Sequence, residues 1–358
     1  MRAVLLLFAT LILVLAVAYA SPPAGEVSLI QADPNARIVY VNPAWSPDGR
    51  SIAYVAIPDA DKLDANAIYR RGKTIRVATL QKGRWRHRLL LKNADWPVWS
   101  PDGKQLAFGS DGLMALTPAT GKTRRLTKDK LPGPKARDEA AATTDYPVSF
   151  SPNGRFLVYY RQMWEEDERR VFDLAQGRDI GVLVGQCFDW SPDSRCILSA
   201  YNWYMDQQVP TRLILTDVAR RKWRTVLRNY RIEGIVWPNE KRYAWVLLVD
   251  PPSEGPGMYR LDLESRKLRK LANIHEWIFP SSDFKRFAFT GHPPDKPKQT
   301  NLYVGDTGTW RFRLLATGTF DPWGWHVRKR FLSWSPDGKS LAYVTERGDI
   351  RIVRFDGR

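Results

Sequence analysis

Three of the four histidines in this 358-residue chain, His275, His292 and His326, fall in its last quarter. Imidazole nitrogens ligate divalent metals, and three that converge would hold an ion for Lewis-acid or hydrolytic chemistry. Their spacing matches no compact metal motif, so only the fold can bring them together. A second set of side chains suits recognition rather than reaction. Met163-Trp164-Glu165-Glu166-Asp167-Glu168 is an acidic run with one Trp, and Tyr201-Asn202-Trp203-Tyr204 and Phe320-Asp321-Pro322-Trp323-Gly324-Trp325-His326 are aromatic-rich. Exposed Trp and Tyr anchor protein partners and form platforms for sugar rings; the bland reading is that they plug a channel or pack between elements. The residues singled out for partner binding are Trp164, Glu166, Trp203, Tyr204, Trp323, Trp325 and His326. Four carboxylates, Asp48, Asp102, Asp193 and Asp337, recur in one Ser-Pro-Asp setting. Spaced acids suggest general acid/base pairs, but a residue that returns at the same place in every repeat reads as a turn residue. No catalytic residue and no cofactor is assigned.

These residues must be positioned by a scaffold, and the scaffold is written as a repeat. Pro43-Ala44-Trp45-Ser46-Pro47-Asp48-Gly49-Arg50 returns as Pro97-Val98-Trp99-Ser100-Pro101-Asp102-Gly103-Lys104 and as Trp334-Ser335-Pro336-Asp337-Gly338-Lys339. Softer copies lie at Phe150-Ser151-Pro152-Asn153-Gly154 and Trp190-Ser191-Pro192-Asp193-Ser194. Degenerate ones lie at Trp237-Pro238-Asn239-Glu240 and Phe279-Pro280-Ser281-Ser282-Asp283, where the motif itself reads as lost. Each copy encodes a hairpin: an aromatic ends one strand, Pro fixes φ, Asp bonds to nearby backbone N–H groups and Gly supplies φ > 0. The period averages roughly 48 residues, the size of a four-stranded propeller blade.

Calling the strands of a blade A to D, the seventh motif is followed by B and C strands but leaves no room for D before Arg358. The segment Glu26–Gln31 precedes the first A strand and supplies the missing one. The expected fold is therefore an all-β, seven-bladed propeller of four-stranded antiparallel blades closed by an N-terminal strand; six blades with an irregular insert is the alternative. Antiparallel order then places A–B and C–D turns on one face and B–C and D–A connections on the other. The long connections, at 58–73, 129–146, 162–168, 202–210, 250–257, 291–299 and 318–329, all belong to the second face. Long loops on a rigid scaffold are where binding sites gather. They carry Trp164, Glu166, Trp203, Tyr204, Trp323, Trp325, His292 and His326, and His275 maps to the same face beside blade six.

Composition agrees. Hydrophobic residues are 44% of the chain, with 15 Trp, 25 Pro and 24 Gly, which suits short strands and tight turns. Mean hydropathy is −0.40, against a polytopic membrane protein. Residues 1–20 read as a signal peptide: Arg2, an apolar run, and Ala18-Tyr19-Ala20 as a cleavage site, an uncleaved anchor being the alternative. Residues 21–358 would form a single exported domain, periplasmic or extracellular. Cys187 and Cys196 flank one hairpin; they either pair or stay as buried thiols, and their placement around the turn looks diagonal rather than opposed.

The net charge of +17 suggests contact with anionic polymer or lipid. It concentrates in D strands such as Arg84-Trp85-Arg86-His87-Arg88 and Lys222-Trp223-Arg224, where Lys and Arg also block edge-to-edge pairing. Export makes nucleic acid an unexpected partner.

The Trp-Ser-Pro-Asp-Gly hairpins resemble the blades of TolB-like, WD-repeat-like β-propellers, which also occur in prolyl-oligopeptidase-type and tricorn-type proteases. The resemblance spans about Val27 to Arg358. It implies the architecture and not a site, because the motif is a turn. The chain has no Gly-x-Ser-x-Gly nucleophile elbow of the peptidase relatives. The expected function is a non-enzymatic, monomeric binding or scaffold propeller in the cell envelope, holding another protein, a peptide or a glycan. The alternative is a metal-assisted lyase or hydrolase of an acidic polysaccharide, as some propeller lyases use histidine clusters; His275, His292 and His326 would hold the metal.

Overall fold

The computed structural model describes residues 26–61, 63, 71–110, 112–127, 145–161, 168–201, 211–250, 254–293, 295–297, 299–319 and 331–355. Its regular structure is 28 strands in seven four-stranded antiparallel sheets. Strand β1 (Glu26–Ile30) stands before the first full blade. Blade 1 is β2 (Val39–Trp45), β3 (Ser51–Ile57), β4 (Thr74–Gln81) and β5 (Arg84–Lys92). Blade 2 is β6 (Asp95–Trp99), β7 (Leu106–Ser110), β8 (Gly112–Thr117) and β9 (Lys122–Arg125). Blade 3 is β10 (Tyr146–Phe150), β11 (Phe156–Arg161), β12 (Glu168–Asp173) and β13 (Arg178–Val184). Blade 4 is β14 (Cys187–Trp190), β15 (Cys196–Tyr201), β16 (Arg212–Asp217) and β17 (Lys222–Arg228). Blade 5 is β18 (Ile232–Val236), β19 (Tyr243–Leu248), β20 (Gly257–Asp262) and β21 (Leu268–Ala272). Blade 6 is β22 (Phe279–Pro280), β23 (Arg286–Gly291), β24 (Asn301–Asp306) and β25 (Phe312–Thr317). Blade 7 is β26 (Leu332–Trp334), β27 (Ser340–Val344), β28 (Ile350–Arg354) and, as its outer strand, β1.

The chain is thus a seven-bladed β-propeller, and β1 closes it by pairing with β28, Glu26 opposite Val353 and Val27 opposite Ile352. First strands touch between blades 1 and 2, 2 and 3, 4 and 5, and 7 and 1, which places them on the inner ring. The core is spread between blades. One cluster joins blades 7, 1 and 2 through Leu29, Ile350, Tyr54 and Phe108; five others bridge the remaining neighbours in turn.

The repeated turn is a hydrogen-bonded module. In blade 2 the Ser100 hydroxyl donates to Asp102 Oδ1 (2.7 Å) and accepts from the Gln105 N–H (2.9 Å), while Lys104 N–H also reaches Asp102 (3.0 Å). Gly103 takes φ +70° and donates to the Ser100 carbonyl. Blade 6 corrects the expectation that its motif is lost: Ser281 and Asp283 make the same bonds, and Phe284 takes the glycine position at φ +55°. In blade 5 Trp237 stands where the serine would be, and its indole N–H donates to the Glu240 carbonyl (3.3 Å). The motif tryptophans also link blades. Trp99 donates to the Ala44 carbonyl of blade 1 (3.1 Å) and Trp334 to the Phe279 carbonyl of blade 6 (2.9 Å).

Cys187 opposes Ala200 and Cys196 opposes Asp217, so the two lie at opposite ends of their hairpin and stand as free thiols.

Candidate functional site

The strands joined by the long connections end on one face, as alternation of direction requires. The partner-binding candidates Trp164, Glu166, Trp203, Tyr204, Trp323, Trp325 and His326 all lie outside the described residues, as does the 1–20 segment. What the structure describes is the floor from which those connections rise.

That floor is most elaborate across blades 1 to 3, where the inner strands are irregular. The register of β2 slips between Val41 and Ala44, that of β6 between Asp95 and Val98, and that of β10 between Pro147 and Ser149. Such bulges re-aim side chains and are favoured beside binding sites. Each slip sits at or directly after a proline, Pro43, Pro97 or Pro147. Proline is tolerated there because the innermost strand is a sheet edge. Asn42 (φ +54°) and Trp96 (φ +62°) are held in the left-handed region, a strain of about 1–3 kcal/mol each that the surrounding packing must offset.

Two buried ion pairs brace the floor. Lys73 Nζ bonds Asp95 Oδ2 at 2.5 Å with both side chains nearly buried. Asp95 Oδ1 also accepts from Asn42 Nδ2 (3.2 Å) and the Trp96 N–H (2.7 Å). Arg161 grips Asp145 in a two-pronged contact of 3.0 and 3.1 Å. Hydrogen bonding to that carboxylate is the main influence raising the Arg161 pKa, and it fixes the side chain as a cation. Between the pairs runs a row of rings: Trp96 to Tyr146 at 5.1 Å, Tyr146 to Tyr160 at 6.5 Å, and the Arg169 guanidinium over Tyr160 at 5.7 Å. Gly109 makes room for it, since a Cβ there would stand 2.6 Å from the Tyr146 ring.

None of these residues was singled out from sequence. The signal was present as Asp95-Trp96-Pro97 and Asp145-Tyr146-Pro147, an acid–aromatic–proline triplet at the start of consecutive inner strands. Trp96 and Arg169 are themselves buried, while Tyr146 and Tyr160 are half-buried, so the row is a packed unit that shows only part of its rings.

The histidines are only partly brought together. His275 lies between β21 and β22, His292 just after β23, and both are exposed. Glu276 Cγ is 3.7 Å from where a Cβ on Gly291 would stand, so the two segments are neighbours. His292 Nδ1 lies 3.2 Å from the Gln299 carbonyl oxygen. Among the described residues no group of three or more His, Cys, Asp or Glu side chains could hold a metal. These residues do not by themselves fit a metal, and no chemical step is routed through one.

The Ser-Pro-Asp carboxylates are turn residues, on the opposite face. Bonds from Ser46, Ser100 and Ser335 and from the backbone lower the pKa of Asp48, Asp102 and Asp337. They are spent on the turn rather than poised as acids.

Known structures share this fold. An oligogalacturonate lyase in complex with manganese aligns with a TM-score of 0.66 and 14% identity over 94% of both chains. The oligogalacturonate lyase from Vibrio parahaemolyticus aligns at 0.63 with 10% identity, over 92% of this chain and 96% of that one. The β-propeller domain of the Trilobed protease from Pyrococcus furiosus, described as having an open velcro topology, aligns at 0.57 with 16% identity, over 90% and 95%. At these identities the likeness shows the propeller fold alone. No family model matches the chain, and no curated protein sequence matches it.

Proposed function

We propose that this is an exported, non-enzymatic binding propeller that holds an envelope protein, a peptide or a glycan on its long-connection face. The observation that carries the reading is the Trp96–Tyr146–Tyr160 row, set between two buried ion pairs on the face where the long connections emerge. Rigid rings over a braced floor make a low-entropy contact surface. Trp164, Glu166, Trp203, Tyr204, Trp323, Trp325 and His326, carried on the connections above, would complete the grip. The test is a pull-down of the chain from Ser21 onward against cell-envelope extract at low and high salt. A discrete partner that survives high salt and is lost on Tyr160→Ala supports the reading; retention that vanishes with salt opposes it.

A second reading is favoured by the alignment with oligogalacturonate lyases along nearly the whole of both chains together with the charge of +17. In it, the same face cleaves an acidic polysaccharide, with a metal held by His275, His292 and His326. Stoichiometric metal in the purified protein, lost on His326→Ala, together with new unsaturated or reducing ends from polygalacturonate, would establish it over the first.

A further inference from the structure

The rim of the propeller carries a second site, away from the long-connection face. A cleft of about 500 Å³ opens beside β17, the outermost strand of blade 4, and is lined by Trp223, Thr225, Val226, Leu227 and Arg228 with Arg266 from the last turn of blade 5. Trp223 is 63% exposed, the most exposed of the large apolar side chains in the described residues. Its indole borders the cleft and stands open to solvent.

The charges around it are unbalanced. Asp262 and Glu264, the acids closest in sequence to Arg266, are taken up by Arg242, at 2.7 and 3.9 Å. Asp217, on the strand next to β17, is engaged by Arg220 at 3.6 Å. Among the described residues, neither Arg228 nor Arg266 has a carboxylate partner. Arg224 leans across to the Leu263 carbonyl (3.4 Å) and ties the two walls together. The walls are therefore fixed while two guanidiniums remain available.

The edge itself is unsuited to an added peptide strand. The register between β16 and β17 slips between the Leu213–Leu227 and Ile214–Thr225 pairs, leaving Val226 as the extra residue of a bulge. Bulges and cationic side chains on an edge oppose strand addition. A flat ring beside two free guanidiniums suits a pyranose whose C–H face lies on the indole and whose carboxylate takes two-pronged hydrogen bonds from arginine.

We infer that the blade 4–blade 5 cleft binds a carboxylate-bearing sugar chain, with Trp223 as the ring platform and Arg228 and Arg266 as the carboxylate donors. The site is independent of the partner-binding face. It gives the basic rim a discrete address for an anionic glycan in place of diffuse attraction.

The probe is a galacturonic acid hexasaccharide, with maltohexaose as the neutral counterpart and a hexaglutamate peptide as the acidic non-sugar. Binding is read by calorimetry and by quenching of tryptophan fluorescence. The expected result is binding of the uronate only, weakened at least tenfold by Trp223→Ala and by Arg266→Asn. Asn is chosen because position 266 has φ +61°, which Asn tolerates. Unchanged thermal midpoints confirm that both variants fold, and their pull-down of the envelope partner stays intact, separating this site from the other. Absence of uronate binding, equal binding by maltohexaose or hexaglutamate, or undiminished binding in the Trp223→Ala Arg266→Asn double variant would each overturn the assignment.

Discussion

The Tyr343 hydroxyl donates to Glu26 Oε1 at 2.7 Å, joining the middle of the last blade to a residue 317 positions earlier. Arg351 adds a second contact to the same carboxylate at 3.1 Å. Burial and the neighbouring Glu26 push the tyrosine pKa well up, so it stays a neutral donor. The same geometry occurs where Tyr54 Oη lies 2.9 Å from His87 Nδ1 in blade 1 and where Tyr159 bonds Asp179 in blade 3. A second-strand tyrosine thus reaches beneath the third strand to latch the outermost one.

Removing this latch should loosen ring closure. Glu26→Ala leaves a buried hydroxyl without its acceptor and is expected to cost about 1–3 kcal/mol. Glu26→Gln keeps an acceptor and should cost less. Thermal melts and amide exchange along β28 read both, and an unshifted midpoint for Glu26→Ala would take the bond out of the closure.

The turn modules predict an acid limb to stability. The pKa values of Asp48, Asp102 and Asp337 are lowered on folding, chiefly by the hydroxyls of Ser46, Ser100 and Ser335. A carboxyl lowered on folding stabilises the native state above its ordinary pKa, near 4, and that contribution is lost as pH falls through the folded value. Urea midpoints should hold from neutral pH down to about 5 and fall below about 4. Asn153 already makes the turn bonds in blade 3 without charge. Asp102→Asn should therefore be nearly neutral at pH 7 and flatten the acid limb, while Asp102→Ala should cost about 1 kcal/mol.

Breaking the pair under the ring row should be costly. Arg161 and Asp145 are both close to fully buried, and removing one partner strands the other charge. Arg161→Met is expected to destabilise by about 3–5 kcal/mol, measured by denaturant unfolding. Replacing both residues with apolar ones of similar volume should recover much of that loss.

Trp96 and Tyr160 separate packing from binding. Trp96→Gly relieves a φ of +62° but deletes a ring that packs on Tyr146 at 5.1 Å. Trp96 is itself buried, so its loss also costs about 3–5 kcal/mol of stability. If the row is a contact surface, the half-buried Tyr160 within it is the better probe, and Tyr160→Ala should keep its fold and lose partner retention at least tenfold in the pull-down. Full retention would remove the row from the interface.

The blades were legible in the sequence because their signal is local. Ser46, Ser100 and Ser335 each sit in a five-residue turn that repeats almost unchanged, and Glu26–Ile30 could be matched to a missing strand by counting. Blade 6 was under-read. Phe284 hides a turn whose bonds depend on Ser281 and Asp283, and the backbone tolerates φ +55° without glycine. The floor at Asn42, Asp95 and Arg161 was not legible. Lys73 meets Asp95 across a blade boundary, and the bulge that aims Trp96 depends on how β6 and β7 come into register, Asp95 opposite Gly109 but Val98 opposite Ala107. The cysteines' diagonal placement around their turn is legible from spacing, and it separates them by the length of the hairpin.

Closure by β1 also sets an order of events. Strand β1 precedes every blade in the described residues yet pairs only with β28, the last strand of the ring. Six blades can assemble one after another as they are made, but the seventh must wait for β28 to meet β1. Until then the growing ring is an arc with two raw flanks, and contacts of such long sequence separation form late. A protease or holdase acting during synthesis would therefore meet a nearly complete propeller in which β1 is still unpaired.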